Sequence, residues 1–214
     1  MGVVLSLCDR TGVMVEPWRR AGYECHIVDV QHPFPSSDDP ARPGLVKWGY
    51  SVEAFGSLGG GVVEHADIVF AFPPCTDLAN SGARWFKDKG LRGLIDALEV
   101  VERCRTICER SGAPWMLENP VGQLSTYWRK PDLTFDPCEF AGWADDPDAE
   151  AYTKRTCLWV GGGFIPPQRK SVEPTLGSLF HRTPPSADRA NIRSVTPSGF
   201  ARAVFAANAL PEDR

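Results

Sequence analysis

Two short motifs come directly after apolar runs of the sequence, and each carries a side chain that can take part in chemistry. Phe72-Pro73-Pro74-Cys75-Thr76 follows the mostly apolar residues 66–71, and Leu117-Glu118-Asn119-Pro120 ends a second apolar run. A thiolate is a strong nucleophile, and a carboxyl group at the end of a buried strand has a raised pKa that lets it donate a proton near neutral pH. We therefore expect Cys75 to attack an electron-poor ring while Glu118 protonates it.

Each of these two residues also has a plainer interpretation. A buried core thiol is the commonest state of a free cysteine, and a carboxylate can simply accept hydrogen bonds from nearby backbone amides. Two prolines stiffen the chain before Cys75 and the polar residues 76–82 follow it, so we favour a rigid, exposed turn for this thiol. By contrast, Cys104 and Cys108 lie one turn apart on an apolar helix and are expected in the core.

A second pair of features favours a nucleoside-bearing cofactor. Asp29 follows an apolar run, 17 residues after Gly12, where a carboxylate can accept hydrogen bonds from both hydroxyls of a ribose. The loop of residues 8–12 lacks the G-x-G-x-x-G pattern of pyrophosphate-binding loops, so a cofactor without a pyrophosphate fits better. The alternative is an aspartate that only caps its own turn.

The elements that must position these residues alternate between strand and helix. Strands are predicted at residues 3–7, 24–28, 68–72, 115–117 and 157–160. Helices are predicted at 12–21, from Leu91 and Ile95 to a stop at Gly112, and at 198–209, with loop or flexible chain at 31–46 and 56–61. This alternation indicates a doubly wound, mostly parallel α/β sheet. Ligands of such sheets bind at the carboxyl ends of the strands, where the 8–12 loop, Asp29, Cys75 and Glu118 all fall.

Bulk composition excludes several classes of protein. A chain of 214 residues with 43% hydrophobic content suits one globular domain, and it contains no apolar run of about 18 residues that would predict a membrane span. The first residues lack a basic leader and a cleavage site, so no signal peptide is expected. Seven scattered cysteines, without a CxxC pattern or a Cys/His cluster, favour a reducing cytoplasm and argue against disulfides or a metal site.

Charge is divided unevenly along the chain. Residues 1–150 carry 14 basic and 23 acidic side chains, whereas residues 151–214 carry 9 basic and 4 acidic ones. The basic part can face phosphate, or it can be an ordinary solvated surface. Within it, Lys154 and Arg155 precede the last predicted strand, where a cation can hold a base carbonyl or a phosphate.

Taken together, these pieces resemble the DNA cytosine-5 methyltransferases, and the short, phage-type members in particular. The resemblance rests on residues 6–12, Val28-Asp29, Phe72-Pro73-Pro74-Cys75 and Glu118-Asn119-Pro120, with further pieces at 153–159 and 193–203. The match covers nearly the whole chain in the family's motif order. It implies one catalytic domain, residues 1–214, with the Rossmann-like fold of class I methyltransferases.

The resemblance also implies a cofactor, a substrate and a role for each residue. S-adenosylmethionine would lie in a pocket lined by Ser6, Leu7, Cys8, Asp9, Gly12, Asp29, Val30 and Pro74. Cys75 would attack C6 of a cytosine flipped out of DNA, Glu118 would hold and protonate N3, and C5 would take the methyl group. Lys154 or Arg155 would hold the cytosine carbonyl. We expect a cytoplasmic monomer, phage-encoded and acting in a bacterial host, without membrane or metal.

A short C-terminal segment leaves the choice of substrate open. Residues 161–195 are too few for a full target-recognition domain, so we expect short or relaxed sequence specificity. Phosphate contacts are predicted there from Gln168, Arg169, Lys170, His181, Arg182, Arg189 and Arg193. Two other hypotheses remain: the same chemistry on a free cytidine nucleotide, or a degenerate, non-catalytic paralogue that binds DNA or another subunit.

Overall fold

Eight strands form one mixed sheet in the part of the chain that the computed structural model describes, which is residues 2–178, 183, 186 and 189–209. The strands are β1 (Val3–Leu7), β2 (Glu24–Val28), β3 (Ser36–Asp38), β4 (Leu45–Trp48), β5 (Ile68–Ala71), β6 (Trp115–Pro120), β7 (Leu133–Phe135) and β8 (Thr156–Gly161). Their order across the sheet is β3-β4-β2-β1-β5-β6-β8-β7.

The middle of this sheet is parallel and its edges are antiparallel. Strands β4, β2, β1, β5 and β6 run in one direction, whereas β3 and β8 oppose their neighbours and β7 opposes β8. The chain passes from β1 to β2 on one side and later to β5 on the other, so the direction of winding reverses at β1. The predicted α/β class and mostly parallel sheet are confirmed, and the antiparallel edges are an addition to them.

The described part contains seven helices, of which the first five lie between strands and the last two follow β8. They are α1 (Glu16–Arg20), α2 (Val52–Leu58), α3 (Gly60–His65), α4 (Phe86–Ser111), α5 (Leu124–Tyr127), α6 (Arg189–Ser194) and α7 (Ser198–Asn208), with short 3-10 turns at Asn80–Trp85, Pro137–Glu139, Ala141–Trp143 and Asp148–Glu150. Among the described helices, none is long and apolar enough to cross a membrane.

Alternating side chains of the strands build one core on each face of the sheet. Val4 belongs to one core and Leu5 to the other, as expected for side chains that point to opposite faces of a strand. The first core packs the sheet against Trp18 of α1 and Phe200 of α7, and the second packs it against α2, α3 and the C-terminal half of α4. Both faces are therefore covered by helices, which is typical of buried parallel strands.

Two stretches predicted as loop contain regular structure. Residues 31–46 include the whole of β3 and the start of β4, and residues 56–61 belong to α2 and α3. Polar Ser36-Ser37-Asp38 forms an edge strand whose side chains are mostly exposed, so it leaves no apolar pattern. Ser51 caps α2 by accepting a hydrogen bond from Ala54 N at 3.3 Å. The predicted helix at 12–21 shortens to five residues, Glu16–Arg20.

The long helix α4 ends at Gly112 in a left-handed conformation (φ 70°), as its sequence predicts, but its first half differs from expectation. Leu91 is 78% exposed and Ile95 is 46% exposed, although their spacing predicted a buried face. Gly90 breaks the helical geometry with φ 64°, and packing against the core begins only at Leu94. Leu91 precedes this packing, and Ile95 lies on a side of the helix that the core does not cover.

The last described helix, α7, is held at its start by Glu150. The Glu150 carboxylate accepts hydrogen bonds from Ser198 N at 2.6 Å, Ser198 Oγ at 2.7 Å and Gly199 N at 3.0 Å. A negative charge and acceptor at this position satisfy amide groups that the first turn of a helix leaves unpaired. This docking places Phe200 against Phe135, with ring centroids 4.3 Å apart.

Candidate active site

The carboxyl ends of four neighbouring parallel strands bring the predicted site residues to one edge of the sheet. Leu7 is paired in register with Val28 on one side and Ala71 on the other, and Ala71 is paired with Leu117. The residues that follow these positions therefore share the edge: Cys8 after β1, Asp29 after β2, Pro73-Pro74-Cys75 after β5, and Glu118 in β6.

Cys75 lies on a tight turn just after β5. Its backbone oxygen accepts hydrogen bonds from Leu78 N at 3.0 Å and Ala79 N at 2.8 Å, which close the turn. The thiol is half-buried, so the expectation of an exposed side chain is wrong. Pro73, the first residue of the turn's rigid Pro-Pro pair, is itself buried and keeps the turn close to the protein body.

The charges around the Cys75 thiol act in opposite directions. Burial, and then the negative charge of Glu118, raise the pKa of this thiol, whereas the positive charges of Lys154 and Arg193 lower it. Glu118, when protonated, no longer carries the charge that disfavours the thiolate. The two groups are thus coupled, since a proton on the carboxyl makes the thiol easier to ionise.

Glu118 holds its carboxyl group in a desolvated position. Its Oε1 is buried and has no hydrogen-bond partner among the described residues. Burial raises the pKa of the Glu118 carboxyl, and the charge of Lys154 opposes that rise only in part. A carboxyl group removed from solvent in this way retains its proton at higher pH and can donate it to a bound ligand. The simple interpretation of Glu118 as an acceptor for backbone amides finds no support at this oxygen.

Several contacts fasten the Cys75 turn to the chain that follows Glu118. Asn119 Nδ2 donates a buried hydrogen bond of 2.9 Å to the backbone oxygen of Pro73. Further along, Gln123 N donates to Leu78 O at 2.8 Å. Gly122 is required between them, because a Cβ atom at this residue would lie 2.1 Å from Leu78 O. The thiol and the carboxyl are therefore held in one rigid unit.

Glu118 lines a narrow cleft between the sheet and the chain around α7. The cleft has a cavity volume of about 10 Å³, room for a single water-sized sphere. Its walls are apolar rings and prolines with a few polar groups. The lining residues are Phe72, Glu118, Phe135, Pro137, Lys154, Thr156, Ser194, Thr196, Pro197 and Phe200. Cys75 lies outside this set and is coupled to Glu118 and Lys154 through their charges.

Of the two adjacent cations predicted for the site, the structure brings only Lys154 to Glu118. Lys154 lines the cleft, and its ammonium group makes no ion pair with the described carboxylates. Arg155 points elsewhere: it is 54% exposed and pairs with Asp136 at 3.1 Å and Glu139 at 3.7 Å. Neighbouring residues at the entry to β8 face opposite ways, so Lys154 lines the cleft and Arg155 does not.

Two cations of the 161–195 segment, Arg169 and Lys170, contact their own domain. Arg169 pairs with Glu139 at 3.0 Å and donates to Thr134 O, and the Lys170 ammonium lies 3.4 Å from the centroid of the Trp143 ring. Gln168 uses its backbone oxygen to accept from Trp143 Nε1. Phosphate contacts from these three residues are therefore not favoured. His181 and Arg182 lie outside the described residues.

Arg189 and Arg193 differ from these cations, because they occupy successive turns of α6 beside the cleft. Burial, and then the charge of Arg189, lower the pKa of Arg193, while its attraction to Cys75 raises it. The sequence had suggested a phosphate contact for Arg193 but gave no signal that its charge would reach the thiol. Its neighbour Ser194 lines the cleft.

The loop after β1 is organised by Asp9. The buried Asp9 carboxylate accepts hydrogen bonds from Ser6 Oγ at 2.8 Å, Thr11 N at 3.0 Å and Gly12 N at 2.8 Å. Gly12 has φ 70°, and a Cβ there would approach Arg42 Nη1 to 3.2 Å. Asp9 thus shapes this loop from within, and its predicted contact with a cofactor stays a prediction.

Two other predicted cofactor contacts also lie inside the protein. Ser6 and Leu7 are both fully buried, and Leu7 is part of the second core. As β1 residues between two parallel neighbours, they can support the loop but cannot present side chains to a ligand. Cys8, the next residue, is half-buried and takes an unusual left-handed conformation with φ 54°.

Asp29, Val30 and Pro74 remain accessible at the edge of the sheet. Asp29 Oδ1 accepts a hydrogen bond from Gln31 N at 2.8 Å, and no described residue donates to Oδ2. Val30 is 70% exposed, and nearby Phe34 and Tyr50 place their rings 5.0 Å apart. A free carboxylate oxygen beside exposed apolar side chains suits a ribose and an aromatic base. The sequence had assigned no role to Phe34 or Tyr50.

The described residues bring no group of three His, Cys, Asp or Glu side chains together as a metal site. Comparison of the sequence with models of known protein families gives no match, and comparison with curated proteins gives no significant match.

Proposed function

We propose that this protein transfers a methyl group from S-adenosylmethionine to C5 of cytosine in DNA, with short or relaxed sequence specificity. The observation that carries the proposal is a half-buried thiol, Cys75, held in one rigid unit with a buried carboxyl that has an unpartnered oxygen, Glu118. A nucleophile and a neutral acid so arranged suit addition across the C5–C6 bond of a pyrimidine. The sheet order and the winding reversal at β1 are consistent with a Rossmann-like methyltransferase.

The residues divide the chemistry between them. Cys75 loses its proton to solvent, with the charges of Lys154 and Arg193 favouring the thiolate, and its sulfur forms a bond to C6. Glu118 gives its proton to N3, so the ring accepts the electron pair at C5 without building up negative charge. After methylation a base removes the C5 proton, the S–C6 bond breaks to release Cys75, and N3 returns its proton to Glu118.

Lys154 is the cation best placed to act on the same ring. Lys154 lines the cleft together with Glu118, and its ammonium group makes no ion pair within the described part of the chain. A cation there would hold the cytosine carbonyl oxygen and stabilise charge that develops on the ring. Thr156 and Thr196, which also line the cleft, supply further hydrogen-bonding groups.

The cofactor would occupy the neighbouring part of the sheet edge. Asp29 has a carboxylate oxygen for the ribose, Val30 and Pro74 offer exposed apolar contacts, and the Asp9 network fixes the backbone of the 8–12 loop. These residues fit a nucleoside. S-adenosylmethionine would supply an activated methyl group to C5 at this edge.

An exposed aromatic and cationic surface on the chain that follows the Cys75 turn supports a polynucleotide substrate. Trp85 is 52% exposed, and the Arg84 guanidinium lies 5.1 Å from its ring centroid. Exposed Leu91 and Ile95 follow on α4. Aromatic side chains next to arginine are typical of surfaces on which bases stack. The cleft is too small for a base as it stands, so binding of a flipped cytosine requires its walls to separate.

The test is incubation of the protein with duplex DNA and isotopically labelled S-adenosylmethionine, followed by nucleoside mass spectrometry. Labelled 5-methylcytosine is expected with wild-type protein, and none with Cys75→Ser. Glu118→Gln should lower the rate by about 100- to 10,000-fold, the usual contribution of general acid catalysis. Cys25→Ser, which changes a buried thiol near the amino end of β2 and so away from this edge, is the matched control.

Three results would decide against the proposal. Near-normal turnover by Cys75→Ser would exclude a covalent mechanism. Transfer to deoxycytidine monophosphate but not to DNA would favour the free-nucleotide hypothesis, particularly if salt has little effect on the rate. Failure to bind S-adenosylmethionine in calorimetry would favour a non-catalytic role in binding DNA or another subunit.

A further inference from the structure

Two cysteines outside the proposed chemistry face each other between the sheet edge and α4. Cys8 follows β1 and Cys104 lies on α4, 96 residues further along the chain, yet their sulfur atoms are 3.9 Å apart. Both thiols are free. A disulfide requires about 2.05 Å between sulfurs, so a movement of about 2 Å would be enough to form one.

The two thiols differ in a way that suits stepwise oxidation. Cys8 is half-buried and can meet a small oxidant, whereas Cys104 is fully buried directly behind it. Cys8 also holds a left-handed backbone (φ 54°), which is uncommon for any residue but glycine and marks a strained position. Its side chain packs on the same core cluster as Cys104.

We propose that Cys8 and Cys104 form a reversible disulfide under peroxide stress and that this bond restrains the cofactor loop. The Cys8 thiolate attacks hydrogen peroxide, which gives a sulfenic acid and one water after proton transfer. The Cys104 thiol then attacks the sulfenic sulfur, the S–S bond forms, and a second water leaves. Two thiols are oxidised and one peroxide is reduced.

The effect of this disulfide on the cofactor loop follows from the position of Cys8 in that loop. It begins the loop whose Thr11 and Gly12 amides are set by Asp9, and α4 is a long helix packed on the core. Closing the bond therefore draws the loop towards the helix and changes the edge next to Asp29. On the proposed function, on which this step rests, the oxidised protein should bind S-adenosylmethionine about ten-fold more weakly, a common size for coupling between sites.

Peptide mapping without reduction tests the bond itself. Reduced protein is treated with hydrogen peroxide, digested and analysed by mass spectrometry, and a peptide that links Cys8 to Cys104 is expected. Cys104→Ser should give no link and leave Cys8 as a sulfenic acid that dimedone traps. Cys108→Ser changes a buried thiol one helical turn away and should still give the link. Oxidation of Cys8 in wild-type protein without any link to Cys104 would overturn the proposal.

Calorimetry then tests the effect on the cofactor loop. Affinity for S-adenosylmethionine should fall on oxidation and return after treatment with dithiothreitol. Equal affinity for S-adenosylmethionine in the disulfide-linked and reduced forms would overturn the proposal that the bond restrains the cofactor loop. If the reduced protein binds no S-adenosylmethionine, the proposed function fails. The disulfide is tested independently of that result, by the mass of the peptide that links Cys8 to Cys104.

Discussion

The side chain of Asn119 donates a buried hydrogen bond of 2.9 Å to the backbone oxygen of Pro73, and this contact joins the end of β6 to the turn after β5. Glu118 immediately precedes the donor, and Cys75 follows the acceptor by two residues. The distance between acid and nucleophile is thus set by a side chain that performs no chemistry itself. The backbone ladder between β5 and β6 and the bond from Gln123 N to Leu78 O are further links between these two strand ends.

Asn119→Ala should lower kcat for methyl transfer by about 100-fold, because a small misplacement of reacting groups has that effect. The KM for DNA should change much less, since Asn119 is buried and reaches no exposed surface. Single-turnover rates on duplex DNA measure the effect. Gln123→Ala, which removes a 3.4 Å contact to Asn80 nearby, is the control and should be close to wild type. A normal rate in Asn119→Ala would show that the bond does not position the pair.

Gly122→Ala should destabilise the protein and reduce its activity together. The new methyl group would lie 2.1 Å from Leu78 O, so the two loops must separate. Overpacking of this kind costs about 1–3 kcal/mol. Gly61→Ala is the matched control, because its Cβ meets nothing within 4 Å and alanine favours its helix by about 0.5–1 kcal/mol. Urea unfolding of both variants checks this, and equal stability would contradict the tight contact.

Removal of the Glu118 charge should stabilise the protein, and more so at higher pH. The pKa of Glu118 is raised in the folded protein, so at acid pH both folded and unfolded chains are protonated and no penalty exists. As pH rises above the usual glutamate pKa, the unfolded chain ionises freely while the folded chain resists. Each tenfold difference between the acid dissociation constants of the two states lowers the free energy of unfolding by about 1.4 kcal/mol.

The difference in unfolding temperature between Glu118→Gln and wild type should therefore be smallest at pH values near the usual pKa of glutamate. It should grow with rising pH and reach a plateau at alkaline pH. Calorimetric unfolding over a pH series measures it, with Glu109→Gln on the exposed side of α4 as control. A difference that shrinks with rising pH would show that Glu118 is stabilised as a carboxylate.

Lys154→Met and Arg155→Met should behave differently despite adjacent positions. Loss of the Lys154 charge should lower the rate by about 100-fold, the usual effect of removing one group that stabilises developing charge. Arg155→Met breaks only exposed ion pairs, which contribute about 0–1 kcal/mol, so its activity should stay near wild type. Comparable losses in both variants would place the functional cation elsewhere.

The sequence predicted the shared edge of Cys75, Glu118 and Asp29 because parallel strands leave their carboxyl ends together. It could not distinguish Lys154 from Arg155, since a change of one residue along the chain reverses the side that a side chain faces. Nor could it show that the Asp9 carboxylate would accept hydrogen bonds from the amides of its own loop. That outcome depends on where Ser6 and Gly12 meet in three dimensions.

Elements without an apolar pattern were also beyond prediction. Strand β3 is polar and exposed. Residues 56–61 were expected to be a flexible stretch, but their glycines lie at the junction between the two helices α2 and α3. Leu91 and Ile95 show the converse error, because helical spacing indicates a common face but not what covers that face.

The docking of α7 by Glu150 has a consequence for biosynthesis. Phe200 and Pro197 form part of the wall opposite Glu118, and both belong to the last described stretch of the chain. A nascent chain emerges from its amino end, so the thiol turn and its acid exist before the cleft has a far wall. Glu118 is therefore synthesised before the residues that form the far wall of its cleft, and a partly translated copy carries this acid without that wall.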